Sequence, residues 1–230
     1  MTPSILPNPD AVRSCLDELE GLWHNGVMGH PPYSDDPLDG LVLTLLSQNT
    51  NDKNRDRAFG SLKARFLSWK GVAGATHQEI ADAIRTGGIA NIKAARILSI
   101  MDRIYSRFRD YTLRDLKSWD TERVRAFLEE IPGIGPKTVA CVLLFDLGRP
   151  AFPVDTHVAR ISRRLGWAGS GTTPEEIEKI LEAVIDEEHY LGDHLNMITH
   201  GRHICAARSP LCGNCPLCDR CEYPRERKTS

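Results

Sequence analysis

Five of the seven cysteines of this 230-residue chain fall between Cys205 and Cys221. The spacing is Cys205-x6-Cys212-x2-Cys215-x5-Cys221, with Cys218 inside the last interval. In a cytosolic chain such crowding points to metal, because short loops bring several thiolates onto one centre. Four thiolates suit either tetrahedral zinc or an iron–sulfur centre. Zinc modules usually pair two short C-x2–4-C arms. The looser arms here suit a larger cube of iron and sulfide. Only one centre's worth of cysteines is present, which favours a structural staple over a redox enzyme, and Cys218 could substitute for Cys215 or Cys221. Cys15 and Cys141 stand alone in apolar helical patterns and read as inert core thiols.

The rest of the chain repeats with helical period, and no segment reads as a strand. Helices are expected over Asp10–Trp23, Leu38–Leu46, Asp52–Phe66, Asn91–Phe108 and Thr121–Ile131, and from Pro136 to about Asp146. Asp155 is placed to cap a helix reaching Leu165, and a last helix is expected from about Asp193. Thr76…Glu79 and Thr173-Pro174…Glu176 read as helix starts with a reciprocal cap. The expected fold class is all-α. No apolar run approaches the roughly 18 residues of a membrane span. The start, with three prolines among Met1–Asp10, does not read as a signal peptide. A cytoplasmic or nucleoid-associated monomer with no membrane partner is the expectation.

The net charge is -2, which by itself does not favour a nucleic-acid partner. Residues 173–193 hold eight acids against Lys179, and without them the chain has 28 basic and 23 acidic residues. Residues 91–109 carry Lys93, Arg96, Arg103, Arg107 and Arg109 against Asp102. A basic face and an acidic back is one reading; ordinary solvated helix faces is the other.

Ile131-Pro132-Gly133-Ile134-Gly135-Pro136-Lys137-Thr138 separates two helical segments. Its glycines permit positive φ and close approach of a ligand to the backbone. With a helix start behind them, they form a site suited to a DNA phosphate, which holds register without reading sequence. A helix's positive end disfavours a second positive charge, so a lysine there, Lys137, is a candidate nucleophile. Asp155, eighteen residues on, is a helix cap that could also stabilise positive charge on a deoxyribose as a base departs.

On these residues the chain resembles the helix-hairpin-helix DNA glycosylases, most closely the endonuclease III branch. Ile131–Thr138 is similar to the family's L-P-G-V-G-x-K-T. Val154-Asp155-Thr156-His157-Val158-Ala159-Arg160 is similar to its V-D-T-H-V-x-R. His200-Gly201-Arg202, followed by Cys205, Cys212, Cys215, Cys221, Glu222 and Tyr223, is similar to its iron–sulfur loop. Leu45–Asp52 is a looser match to an N-terminal motif.

The resemblance implies two helical domains flanking a DNA cleft: a helical barrel over 31–149 and a cluster domain from 1–30 with 150–230. It implies a bifunctional glycosylase and AP lyase acting on double-stranded DNA with oxidised pyrimidines or abasic sites; the alternatives are a monofunctional mismatch glycosylase acting on thymine, uracil or adenine, and a non-catalytic cluster-bearing DNA-binding protein. Lys137 and Asp155 would be catalytic. Asn49, Ile89, Gly133, Ile134, Gly135, Thr138 and His157 would contact DNA, with Asn49 and Ile89 entering the duplex as the base flips out. Cys205, Cys212, Cys215 and Cys221 would ligate a [4Fe–4S] cluster. Three positions depart from the family: Asn49 where glutamine is usual, Pro136 where a basic residue is common, and a Cys205–Cys212 loop whose one basic residue is Arg208. These bear on substrate range more than on reaction class.

Overall fold

The computed structural model describes residues 6–24 and 35–223. Among them there is no strand, and the chain divides into two compact units, 31–149 and 1–30 with 150–230. No helix among the described residues is long and apolar enough to cross a membrane.

The 31–149 unit is built around α2 (Pro37–Ser47). Asp36 caps it and Pro37 takes the first helical position. Leu38, Leu41, Val42, Leu45 and Leu46 are fully buried. Each such side chain contributes roughly 1.5–3 kcal/mol relative to exposure. Around it lie α3 (Asp52–Arg65), the short α4 (Trp69–Ala73), α5 (His77–Ala83), α6 (Ala90–Phe108), α7 (Thr121–Glu129) and α8 (Pro136–Cys141). The reciprocal cap between Thr76 and Glu79 opens α5 as expected. Helix α6 is amphipathic, with Ala94, Ile97, Ile100, Met101 and Ile104 inward. α4 has no counterpart in the sequence reading, since a five-residue helix is too short to show a period.

The expected helix from Pro136 to Asp146 changes character halfway. After Cys141 the chain widens into a π-turn over Val142–Asp146, closed by Leu147 N–H donating to the Val142 carbonyl at 3.1 Å. Asp146 lies at its end against the backbone of Gly40, where a Cβ would sit 1.9 Å from its carboxyl. Neither of its buried oxygens has a hydrogen-bond partner. Burial, reinforced by the charge of Asp39, pushes Asp146 up to about 7.

The second unit joins α1 (Pro9–Trp23) to α9 (Thr156–Arg164), α10 (Pro174–Val184) and α11 (Tyr190–His203). Val12, Cys15, Leu16 and Leu19 form the buried face of α1. The acidic stretch is not uniformly solvated. Glu178 and Asp193 are buried, and Asp193 takes a two-pronged ion pair from Arg13 at 2.8 and 3.1 Å. The last helix also begins three residues earlier than expected, at Tyr190.

Candidate active site

The hairpin between α7 and α8 is pinned by two buried isoleucines, Ile131 and Ile134. The Ile134 N–H donates to the Ile131 carbonyl at 3.0 Å. Gly133 adopts φ +87, and a Cβ there would press to 3.1 Å on the Arg96 side chain. Gly135 departs from the expected positive φ. It caps α8 in extended backbone at φ −99, and nothing lies within 4 Å of where its Cβ would be. Its glycine is therefore not required by this chain's own packing, and it leaves open space for a group from outside. Lys137, half-exposed, is the second residue of α8. Ile134 and Thr138 turn their side chains into the core, so what they can offer a ligand is main chain.

Asn49 and Ile89 share an unusual backbone. Asn49 has φ +53 and Ile89 φ +40, and both are exposed. A β-branched residue in that region is a genuine outlier, costing about 1–3 kcal/mol, and such strain gathers at functional sites. The two loops abut, since a Cβ on Gly88 would be 3.9 Å from the Asn49 carbonyl.

Helix α6 braces both loops. Lys93, read from sequence as part of a basic face, is fully buried. Its Nζ donates to the Leu46 carbonyl at 2.8 Å and the Gly87 carbonyl at 2.7 Å. Burial first, and the charge of Arg96 second, lower its pKa from the usual lysine value. One turn on, Arg96 donates to Gln48 Oε1 at 2.6 Å while its stem lies under Gly133. Sequence reasoning missed this brace. The signal was available: Lys93 falls four residues before Ile97 and seven before Ile100, on the apolar stripe.

In the other unit, buried Phe152 and Val154 anchor the segment that delivers Asp155. Asp155 caps α9, with Oδ1 accepting the N–H groups of His157 at 2.8 Å and Val158 at 2.9 Å. That fixes the carboxylate and leaves Oδ2 outside the cap. The His157 ring packs on Gly201, where a Cβ would be 2.7 Å away, and its Nδ1 lies 3.0 Å from Arg160. Arg160 also donates to the carbonyls of Cys205 at 2.9 Å and Gly201 at 2.8 Å.

All five C-terminal cysteines line one pocket, together with Arg164, Ile204, Pro210 and Tyr223. Among the described residues no three His, Cys, Asp or Glu side chains converge closely enough for a single metal ion. Sulfurs ringing a pocket fit a cluster better than zinc, which needs its ligands within about 2.3 Å of one point. Arg164 donates to Cys205 Sγ at 3.1 Å and stacks on Tyr223 at 4.0 Å. His200 Nε2 lies 3.4 Å from Cys215 Sγ. Burial lowers His200 to about 4 and pushes the Cys215 thiol up to about 11. A thiol so placed becomes a thiolate only beside a strongly cationic partner.

The family described as HhH-GPD superfamily base excision DNA repair protein matches residues 42–187. A DNA glycosylase named from Arabidopsis thaliana is 40% identical over 178 residues, covering 77% of this chain; the chain spans only 58% of that protein's length. Endonuclease III of Thermotoga maritima is 35% identical over 195 residues, covering 84% of this chain and 85% of the relative. A solved endonuclease III–DNA covalent intermediate superposes with a TM-score of 0.81 at 27% identity, over 97% of this chain and all of that one. The chain belongs to the HhH-GPD superfamily of base excision DNA repair proteins, in its endonuclease III branch.

Proposed function

We propose that this protein is a bifunctional DNA glycosylase and AP lyase that removes oxidised pyrimidines from double-stranded DNA and cuts the strand 3′ to the abasic site. The observation that carries this reading is Lys137, half-exposed in the first turn behind a hairpin with open space at Gly135. Its support is the likeness to a structure trapped as a covalent protein–DNA intermediate.

In this reading the hairpin backbone holds a phosphate, and Asn49 and Ile89 enter the duplex where the damaged nucleotide leaves. The Lys137 amine attacks C1′ through its nitrogen lone pair. The C1′–N bond breaks, and the base departs with its electron pair and takes a proton. The amine gives one proton to the departing base and one to O4′ as the C1′–O4′ bond breaks, leaving a Schiff base between Nζ and C1′. Loss of a C2′ proton then expels the 3′ phosphate by β-elimination. Asp155, aimed by its cap, stabilises positive charge on the sugar as the base leaves. A [4Fe–4S] cluster held by Cys205, Cys212, Cys215 and Cys221 would cross-link the C-terminal loop.

Borohydride trapping on a duplex containing one thymine glycol tests this directly. A covalent adduct is expected with the native protein and none with Lys137→Ala. Alkali-sensitive abasic sites without an adduct would mean a glycosylase with no lyase step. Wild-type cutting of abasic DNA by Lys137→Ala would remove Lys137 as the nucleophile.

A further inference from the structure

The family's ligand pattern uses four cysteines, yet five line the pocket. The fifth follows a regular rule. Cys212, Cys215, Cys218 and Cys221 recur at every third residue. The backbone repeats with them: the N–H of Cys215 donates to Cys212, that of Cys218 to Cys215 and that of Cys221 to Cys218, at 3.2, 3.2 and 3.3 Å. Each turn begins and ends on a cysteine, and two of the three are 3₁₀ turns, Cys212–Asn214 and Cys218–Arg220. Cys215 and Cys221 close these turns in extended backbone, and all four cysteines line the same pocket. Cys205 stands apart on the loop after α11, with Arg164 on its sulfur, and has no neighbouring thiol to replace it.

We propose that Cys218 is a fifth, exchangeable ligand of the iron–sulfur centre, able to take the place of Cys215 or Cys221; this rests on the [4Fe–4S] reading above. The exchange balances as thiol for thiolate. One iron–sulfur bond to the outgoing cysteine breaks, one to Cys218 forms, and the proton leaving Cys218 goes to the outgoing sulfur. The cluster's charge and oxidation state do not change. A cluster with a spare ligand within one turn re-forms a broken bond before iron is lost.

The test measures iron, acid-labile sulfide and absorbance near ~400 nm in the purified holoprotein and its variants. Cys215→Ala, Cys218→Ala and Cys221→Ala should each retain the native iron and sulfide. Adding Cys218→Ala to either of the other two should remove them, as Cys205→Ala does alone. Folded Cys215→Ala and Cys221→Ala proteins as empty as Cys205→Ala overturn the proposal. Where those variants do not accumulate, Cys218→Ala in the otherwise native protein decides: bleaching by ferricyanide several-fold faster than native supports exchange, and an equal rate overturns it. Zinc, or no metal, in the native protein overturns the cluster reading itself and this proposal with it.

Discussion

The loops of the 31–149 unit and the cysteine segment 205–223 are held in place by different means. Asn49, Ile89 and the hairpin rest on helices that each turn a buried apolar face inward, and a buried lysine fastens the loop backbones to α6. Between 205 and 223 the one buried hydrophobic side chain is Leu217. That segment is tied by polar links. Arg164 reaches the Cys205 sulfur and the Ala206 carbonyl, its own carbonyl accepts the Glu222 N–H at 3.0 Å, and Arg220 reaches Ser14 and Glu18 on α1. Interior packing can hold strained backbone unaided, whereas a segment without a core depends on what fills its pocket.

On the proposed cluster reading, removing iron should have the largest effect and should fall on one region only. Amide exchange in 205–223 is expected to speed up by about 100-fold or more on stripping the metal, with 35–149 unchanged. Equal loss of protection in both regions would break the comparison. Next is Lys93→Met, which keeps volume but leaves the Leu46 and Gly87 carbonyls without their donor. Urea unfolding should show a loss of about 2–4 kcal/mol, and a change under about 0.5 kcal/mol would mean the brace carries little.

The smallest effect has the opposite sign. Asp146 is raised from 3.8 to about 7. Between those values the folded state binds a proton that the unfolded state has lost, so native stability falls as pH rises from about 4 to about 7. Asp146→Asn should flatten that slope and stabilise the protein at alkaline pH by about 1–3 kcal/mol. An unchanged pH profile in thermal melts would show that the carboxyl is not held protonated.

Features written locally were legible in the sequence. The caps at Thr76, Asp155 and Thr173 depend on residues two or three apart, and the structure has each of them. Features decided by partners far along the chain were not. Lys93 and Asp193 looked like surface charges until Leu46, Gly87 and Arg13 were brought beside them. Asparagine tolerates left-handed backbone, but nothing in the sequence marks the β-branched Ile89 for it. The π-turn ending at Asp146 was invisible too, as its carboxyl packs on Gly40 a hundred residues earlier. Of the candidate site, the sequence suggested the side chains proposed to carry the chemistry; the brace under the Asn49 and Ile89 loops came from tertiary contacts.

Helix α9 has a property that follows from its two ends. Its cap is Asp155, and its last residue is Arg164, which grips the cysteine loop. Nine helical residues measure about 14 Å, so one stiff rod joins the carboxylate to the sulfur pocket. The nine residues that present the carboxylate are thus the same ones that hold the cysteine loop.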